Sequence, residues 1–189
     1  HSCHARRDIQ HLAPVASIQG STIYAHTEAE AVCPPGRTPL LFIPSMINSS
    51  AIFDILPECS LLALVNRCGI PAYMLDWGDC EQDTGLRDFT SVAKRLNELA
   101  AQLAGHHNCD SVHGLGYCMG GHFLAAANAL EPANYASLTF LSTPWDFAAQ
   151  DYQLAQLIDR FSYALSAHLS VSDYLSPYWL HSIFALLEP

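Results

Sequence analysis

Apolar residues along this chain fall into short continuous runs that alternate with longer stretches of helical periodicity. The run Leu40–Ile43, ended by Pro44, is typical of a strand buried on both faces of a sheet. Further strands are predicted at residues 21–25, 70–75, 111–115 and 136–141 from their apolar composition and the turn residues beside them. Five strands are therefore expected between residues 21 and 141.

Helical periodicity fills the gaps between the predicted strands. One helix is predicted after Pro57 and ends at Gly69, a second covers residues 88–104, and an Ala-rich helix runs to Pro132. Strands that alternate with helices of this length form a parallel sheet with helices on both faces, joined by right-handed crossovers. The sequence therefore predicts an α/β fold.

The two ends of the chain depart from this alternation. Residues 1–20 are predicted to be an irregular N-terminal arm, and residues 150–189 favour helices with no strand between them. We therefore predict an α/β core over residues 1–149, followed by the start of a helical cap or lid over residues 150–189.

Composition and charge exclude several classes of protein. The 189 residues are 50% hydrophobic and 14% charged, which is globular composition, and the net charge of −10 has the wrong sign for binding nucleic acid. The longest apolar runs are too short to cross a bilayer, and no secretory signal is recognised. Seven cysteines without a C-x-x-C pair indicate reduced, cytoplasmic thiols. Residues 1–4 and 106–109 carry metal-ligand types but lack a second pair at zinc spacing, so no metal is expected.

The strongest chemical motif is G-x-C-x-G, here Gly116-Tyr117-Cys118-Met119-Gly120, between a predicted strand and a predicted helix. In a nucleophile elbow the middle residue occupies a sharp turn above the sheet, and glycines beside it allow close backbone approach. The helix N-terminus favours the thiolate form of a cysteine at this place. The alternative is that Cys118 is a small buried residue in a glycine-rich turn.

An elbow of this kind needs two backbone donors for the oxyanion of a tetrahedral intermediate. The N–H of Met119 is predicted to be one donor, and Gly121 adds clearance beside it. The second donor is expected from the loop after the strand that ends at Ile43, with Ser45 and Met46 as candidates.

Five ordered segments resemble the polyhydroxyalkanoate synthase family. They are PLLFIPSMIN at 39–48, FDILPECSL at 53–61, DWG at 76–78, GYCMGG at 116–121 and TPWDF at 143–147. The resemblance covers about residues 38–150. It implies an α/β-hydrolase fold in which Cys118 takes the acyl group of a 3-hydroxyacyl-CoA, extends a polyester and releases CoA, with no other cofactor. It also implies a cytoplasmic enzyme associated with polymer granules.

The resemblance places the family's remaining catalytic Asp and His on loops beyond the cap, after two further strands. Because this chain ends at Pro189, those strands and both residues are expected to be missing from it. His113 precedes Cys118 by five residues in a strand and His122 follows it by one helical turn, so neither is well placed to act as the base.

Two other functions stay open. The net negative charge repels polyanionic CoA and therefore suits a hydrolase that uses water as the acceptor. If CoA does bind, it needs basic residues near the entrance, and the candidates by elimination are Arg37, Arg87, Lys94 and Arg95. The absent base suits a non-catalytic module that binds a granule surface or another synthase subunit. A homodimer is a further expectation from the unpaired sheet edge that missing strands would leave.

Three acidic residues follow strands or turns within the resembling segments. Asp54, Asp76 and Asp146 are expected to order loops by accepting backbone N–H bonds rather than to act in catalysis.

Overall fold

The computed structural model describes residues 12–27, 36–47, 50–56, 59–80, 82–146 and 152–171. The chain divides into two compact units, residues 1–143 and residues 144–189. The first contains the sheet and its flanking helices, and the described part of the second, residues 144–146 and 152–171, contains a long helix. The assignment of the second unit as a cap stays a prediction.

Six strands form a single mixed sheet in the order β1-β2-β4-β3-β5-β6. The strands are β1 (Leu12–Ile18), β2 (Ser21–His26), β3 (Leu40–Ile43), β4 (Ala72–Asp76), β5 (Val112–Tyr117) and β6 (Tyr135–Leu141). Strands β4, β3, β5 and β6 are parallel to one another, whereas β1 pairs antiparallel with β2 and β2 pairs antiparallel with β4. The predicted α/β class with a mostly parallel sheet is confirmed.

Within the described residues, three α-helices belong to the unit with the sheet: α1 (Leu61–Arg67), α2 (Phe89–His106) and α3 (Met119–Leu130). A further helix, α4 (Tyr152–Leu169), belongs to the second unit. Short 3-10 turns lie at Ser50–Phe53, Thr84–Leu86 and Pro132–Asn134. The side chain of Ser60 accepts the N–H of Ala63 at the start of α1, and that of Asp88 accepts the N–H of Ser91 at the start of α2. These caps satisfy amides that a helix leaves without internal partners.

The sheet is covered on both faces, which is why the central strands are almost wholly apolar. Helices α2 and α3 pack on one face around Leu41, Ile43 and Leu75, which are fully buried. Helix α1 and the 3-10 turn before it cover the other face around Phe42 and Met74. The strand predicted at residues 40–43 is confirmed. The strand predicted at residues 70–75 lies instead at Ala72–Asp76, and Ile70 is exposed outside it.

The prediction of an irregular arm over residues 1–20 is wrong where the structure describes it. Residues Leu12–Ile18 form the edge strand β1, joined to β2 by a turn in which Gln19 and Gly20 both have positive φ. The register shifts between Pro14 and Ala16, and a proline is tolerated at an edge or a bulge where its missing N–H is not needed. The apolar residues of β1 are interrupted by Pro14, and a proline inside such a run counts against a strand in the sequence.

A buried ion pair fixes the loop after β4 to the hairpin of β1 and β2. The Arg95 side chain on α2 is 4% exposed and contacts the carboxylate of Asp83. It also donates to Gln19 Oε1 at 2.7 Å and to Ser21 Oγ at 3.2 Å. Arg95 was a candidate for binding CoA, and this is corrected because its guanidinium is already buried among these partners.

We predict that Asp83→Asn lowers the free energy of unfolding by about 3 kcal/mol, because it leaves a buried guanidinium without its countercharge. Chemical denaturation measures the change. Asp88→Asn is the matched control, since asparagine caps a helix as well as aspartate does, and a change within about 0.5 kcal/mol is expected. Equal effects of the two substitutions would contradict the role given to Asp83.

The same pair predicts a pH dependence. The hydrogen bond from Arg95 holds the pKa of the Asp83 carboxyl below its usual value. A lowered pKa in the folded state stabilises the protein above the unfolded value of about 3.9, and the contribution is lost as the pH falls through the folded value. The stability difference between native protein and Asp83→Asn should therefore be constant above about pH 5 and shrink below about pH 4. A difference that grows in acid would contradict this.

Candidate active site

The predicted site lies at the carboxyl ends of β3 and β5, which are neighbours in the sheet. Ile43 pairs with Gly116 near those ends. From β3 the chain continues to β4 on one side, and from β5 it continues to β6 on the other side. A crevice opens at such a reversal of strand order, and open α/β sheets bind their ligands there. The topology therefore brings the loop 44–47 and the turn at Cys118 to one edge.

Cys118 has the strained backbone of an elbow. It lies between the end of β5 and the start of α3, with φ of 52° and ψ of −124°. A residue with a side chain rarely adopts this conformation, which costs of order 1–3 kcal/mol. Its N–H donates to Leu141 O at 2.9 Å and its carbonyl accepts the N–H of Gly121 at 3.0 Å. The thiol is free and half-buried.

The three glycines beside Cys118 supply space rather than unusual dihedral angles. A Cβ on Gly116 would lie 2.5 Å from Gly121 Cα, and one on Gly120 would lie 2.2 Å from Ile43 O. A Cβ on Gly121 would collide with the side chain of Thr143. At Gly116 and Gly120, α3 begins so close to β5 and β3 that a Cβ would collide with backbone atoms. The role of the three glycines in a nucleophile elbow stays a prediction.

The loop after β3 is ordered by its own side chains. Ser45 is 1% exposed, and its hydroxyl accepts the N–H of Ile47 at 3.2 Å. Met46 packs against the core formed with α2 and α3. Met119 is the first residue of α3, so its N–H lies in the turn that has no internal helical partner. That the backbone amides of Ser45, Met46 and Met119 donate to an oxyanion stays a prediction.

Trp77 is hydrogen-bonded to the loop after β3, and the sequence alone does not reveal this contact. It directly follows β4, is 3% exposed, and its indole Nε1–H donates to Pro44 O at 2.9 Å. The signal in the sequence was a tryptophan after a buried strand, since a buried indole N–H usually finds a partner. Which partner it finds depends on the neighbouring strand.

The acidic residue before Trp77 orders its loop, as predicted. Asp76 Oδ1 accepts the N–H of Gly78 at 2.8 Å, and Oδ2 accepts the hydroxyl of Ser50 at 3.1 Å. Asp54 is buried and lies in an isolated bridge with Ser60. Asp76 thus connects the end of β4 with the segment that follows the loop after β3.

Other groups near the site are poorly suited to the chemistry. His113 pairs with Leu40 at the opposite end of the strands, and its Nδ1 lies 2.7 Å from Ser137 Oγ. Cys118 follows His113 by five residue steps along the strand direction, which corresponds to about 16 Å. Burial, together with Asp76, Asp79 and Asp83, raises the pKa of the Cys80 thiol to about 11, so that thiol stays protonated at neutral pH. Within the described ranges, no three His, Cys, Asp or Glu residues are grouped to hold a metal ion.

Curated poly(3-hydroxyalkanoate) polymerases are similar in sequence to most of this chain. The chain is 32% identical over 159 residues to the poly(3-hydroxyalkanoate) polymerase of Methylorubrum extorquens, which covers 81% of this chain and 26% of that protein. This chain is a relative of the poly(3-hydroxyalkanoate) polymerases. Subunit PhaC of the polymerase from Thiocystis violacea is 30% identical over 114 residues, covering 60% of this chain and 32% of that protein. The resemblance stated from the five segments is confirmed.

The chain spans about a quarter to a third of the length of these polymerases. No protein-family model matches it. Among solved structures, a hydrolase from Thermoplasma acidophilum superposes with a TM-score of 0.52 at 12% identity, covering 73% of this chain and 65% of that one. A membrane phospholipase A superposes with a TM-score of 0.54 at 19% identity, covering 82% and 47%. The α/β-hydrolase fold expected for this polymerase relative is therefore confirmed.

We predict that Gly120→Ala lowers the free energy of unfolding by about 3 kcal/mol or more, because the new methyl group collides with a backbone carbonyl that cannot move freely. Gly105→Ala on α2 is the matched control, since a Cβ there meets nothing within 4 Å. It should raise stability by about 0.5–1 kcal/mol through helix propensity. Denaturation midpoints measure both changes, and a tolerated alanine at 120 would contradict the close approach.

Proposed function

We propose that Cys118 is the nucleophile of an acyltransferase that takes acyl groups from 3-hydroxyacyl-CoA and extends a polyester, in an enzyme of the polymerase type. One observation carries the proposal: a free cysteine has the strained elbow backbone, in a chain 32% identical to a poly(3-hydroxyalkanoate) polymerase. Strain at a non-glycine residue persists where the surrounding structure enforces it, and such residues concentrate at active sites.

The first step is thioester exchange. The Cys118 thiolate attacks the carbonyl carbon of the acyl-CoA, and the carbonyl electron pair moves onto oxygen to give a tetrahedral oxyanion. Collapse of this intermediate expels the CoA thiolate, which takes a proton and leaves as free CoA. The acyl group is then bonded to Cys118 Sγ. One thioester replaces another, so the step has little free-energy cost and the acyl group stays activated for transfer.

The second step forms the ester bond. The hydroxyl at the end of the growing chain attacks the acyl-Cys118 carbonyl, gives its proton to a general base, and displaces the Cys118 thiolate. His113 is too far from the thiol for this role. The family resemblance assigns the base to a histidine on a loop that follows the cap.

Substrate charge restricts where CoA can bind. The net charge of −10 repels a polyanion unless basic side chains lie at the entrance. Arg95 is buried with Asp83, and Arg37 donates to Gly69 O at 2.8 Å. Arg87 and Lys94 are exposed, and we propose them as the first residues to test for CoA binding.

The proposed setting is the cytoplasm at the surface of polymer granules, either as a homodimer or with another synthase subunit. In the part of the chain that the structure describes, no helix has the length and hydrophobicity needed to cross a membrane.

The decisive experiment incubates the protein with 3-hydroxybutyryl-CoA and measures both CoA release and the mass of the peptide that contains Cys118. We expect an acyl adduct on Cys118 and loss of at least about 1000-fold in CoA release for Cys118→Ala, since the nucleophile is removed. Cys68→Ala is the control, because Cys68 is an exposed free thiol at the end of α1, and it should keep both signals.

The products distinguish the proposal from its alternatives. Polymer or oligomer indicates the transferase, whereas free 3-hydroxybutyrate indicates a hydrolase on the same scaffold. Undiminished CoA release by Cys118→Ala, or a native protein with no adduct on Cys118, would overturn the proposal and favour a binding module.

A further inference from the structure

We propose that Trp77 is a positioning residue for acyl transfer: its indole N–H holds the loop that carries the predicted oxyanion donors Ser45 and Met46. The inference rests on the proposed function, because it concerns how the tetrahedral intermediate at Cys118 is stabilised. It concerns one buried hydrogen bond, from Trp77 Nε1 to Pro44 O at 2.9 Å.

The Pro44 carbonyl matters because of the peptide unit to which it belongs. A peptide bond is planar and trans, so the C=O of Pro44 and the N–H of Ser45 lie in one plane and point in opposite directions. A hydrogen bond that fixes the Pro44 carbonyl therefore also fixes the direction of the Ser45 N–H. It also sets the direction in which the chain leaves β3 toward Met46.

The other end of the loop is held separately. The Ser45 hydroxyl accepts the N–H of Ile47, which closes a short turn around Met46. With Trp77 fixing the Pro44 carbonyl, the segment between the two hydrogen bonds has little freedom. Donors that are held in place before the reaction stabilise an oxyanion far better than donors that must reorganise.

Two further contacts fix Trp77 itself. Its ring packs edge-on against Phe123 of α3, with ring centroids 5.5 Å apart. Its backbone carbonyl accepts the hydroxyl of Ser21 at 3.0 Å, and Ser21 Oγ is bonded to the buried Arg95. Because Trp77 contacts both α3 and the loop after β3, it couples the position of Met119 at the start of α3 with that of the loop.

The test compares two reactions of the same thiol. Acylation of Cys118 by 3-hydroxybutyryl-CoA passes through an oxyanion, whereas alkylation by iodoacetamide displaces iodide at a saturated carbon and does not. For Trp77→Phe we expect acylation to slow by about 10- to 100-fold, while alkylation of Cys118 stays within about twofold of the native rate.

Tyr73→Phe is the matched control. This substitution also removes one buried hydrogen bond of an aromatic residue, that between Tyr73 OH and His107 Nε2 at 2.6 Å. Tyr73 is the second residue of β4 and therefore lies away from the carboxyl end of the strand, where the candidate site is. We expect both rates to stay within about twofold of native for this variant. Replacing Trp77 with benzothienylalanine, which keeps the bicyclic shape without the N–H, tests the bond itself should phenylalanine disturb packing.

The outcomes separate the two proposals. If the native protein is acylated at Cys118 and both Trp77 variants are acylated at the native rate, the positioning role is overturned and the proposed function is not. An equal fall in acylation and alkylation in the benzothienylalanine variant also overturns it, because the loss of the N–H then has no effect specific to the oxyanion. A native protein that is alkylated but never acylated at Cys118 overturns the proposed function and this inference together.

Discussion

The first turn of α3 lies directly on the end of β3, with the Gly120 backbone against the carbonyls of Ile43 and Pro44. No side chain separates the two segments, so their spacing cannot adjust by a change of rotamer. A close-packed backbone contact transmits strain rather than absorbing it. The position of the α3 N-terminus relative to the loop after β3 is therefore a fixed dimension of the molecule, and the geometry around Cys118 depends on it.

The strained residue is held because the elements on either side of it are stabilised independently. Strand β5 is paired with β3 on one side and β6 on the other, and α3 buries Phe123 and Leu124 against the sheet. Relaxing Cys118 would require the helix to move away from the strands and expose that apolar surface, which costs about 25 cal/mol per Å². The unfavourable dihedral angles of Cys118 are thus a local cost that the packing of the surrounding unit offsets.

Much of this architecture is visible in the sequence because its signals are local. The apolar run Leu40–Ile43 predicts a strand that is buried on both faces. The glycines within residues 116–121 indicate that backbone segments approach each other closely around Cys118. The strand around Pro14 was missed because an edge strand is defined by its partner and not by its own pattern. Arg95 resembled a surface cation, since its burial depends on Asp83, twelve residues away, and on the hairpin of β1 and β2. The acceptor of the Trp77 indole likewise depends on which strands are neighbours in the sheet.

The buried hydroxyl of Ser21 has a consequence for how this sequence can diverge. It donates to Trp77 O and accepts from Arg95, so one small side chain joins a hairpin turn, a strand end and a helix. An apolar residue at this position would leave the Trp77 carbonyl without this donor and would remove one of the acceptors around the Arg95 guanidinium, which would keep Asp83 and Gln19. Substitutions at Ser21, Asp83 and Arg95 should therefore be accepted together or not at all. Among natural relatives this trio is expected to behave as one inherited unit, although its members are distant along the chain and none of them carries the thiol.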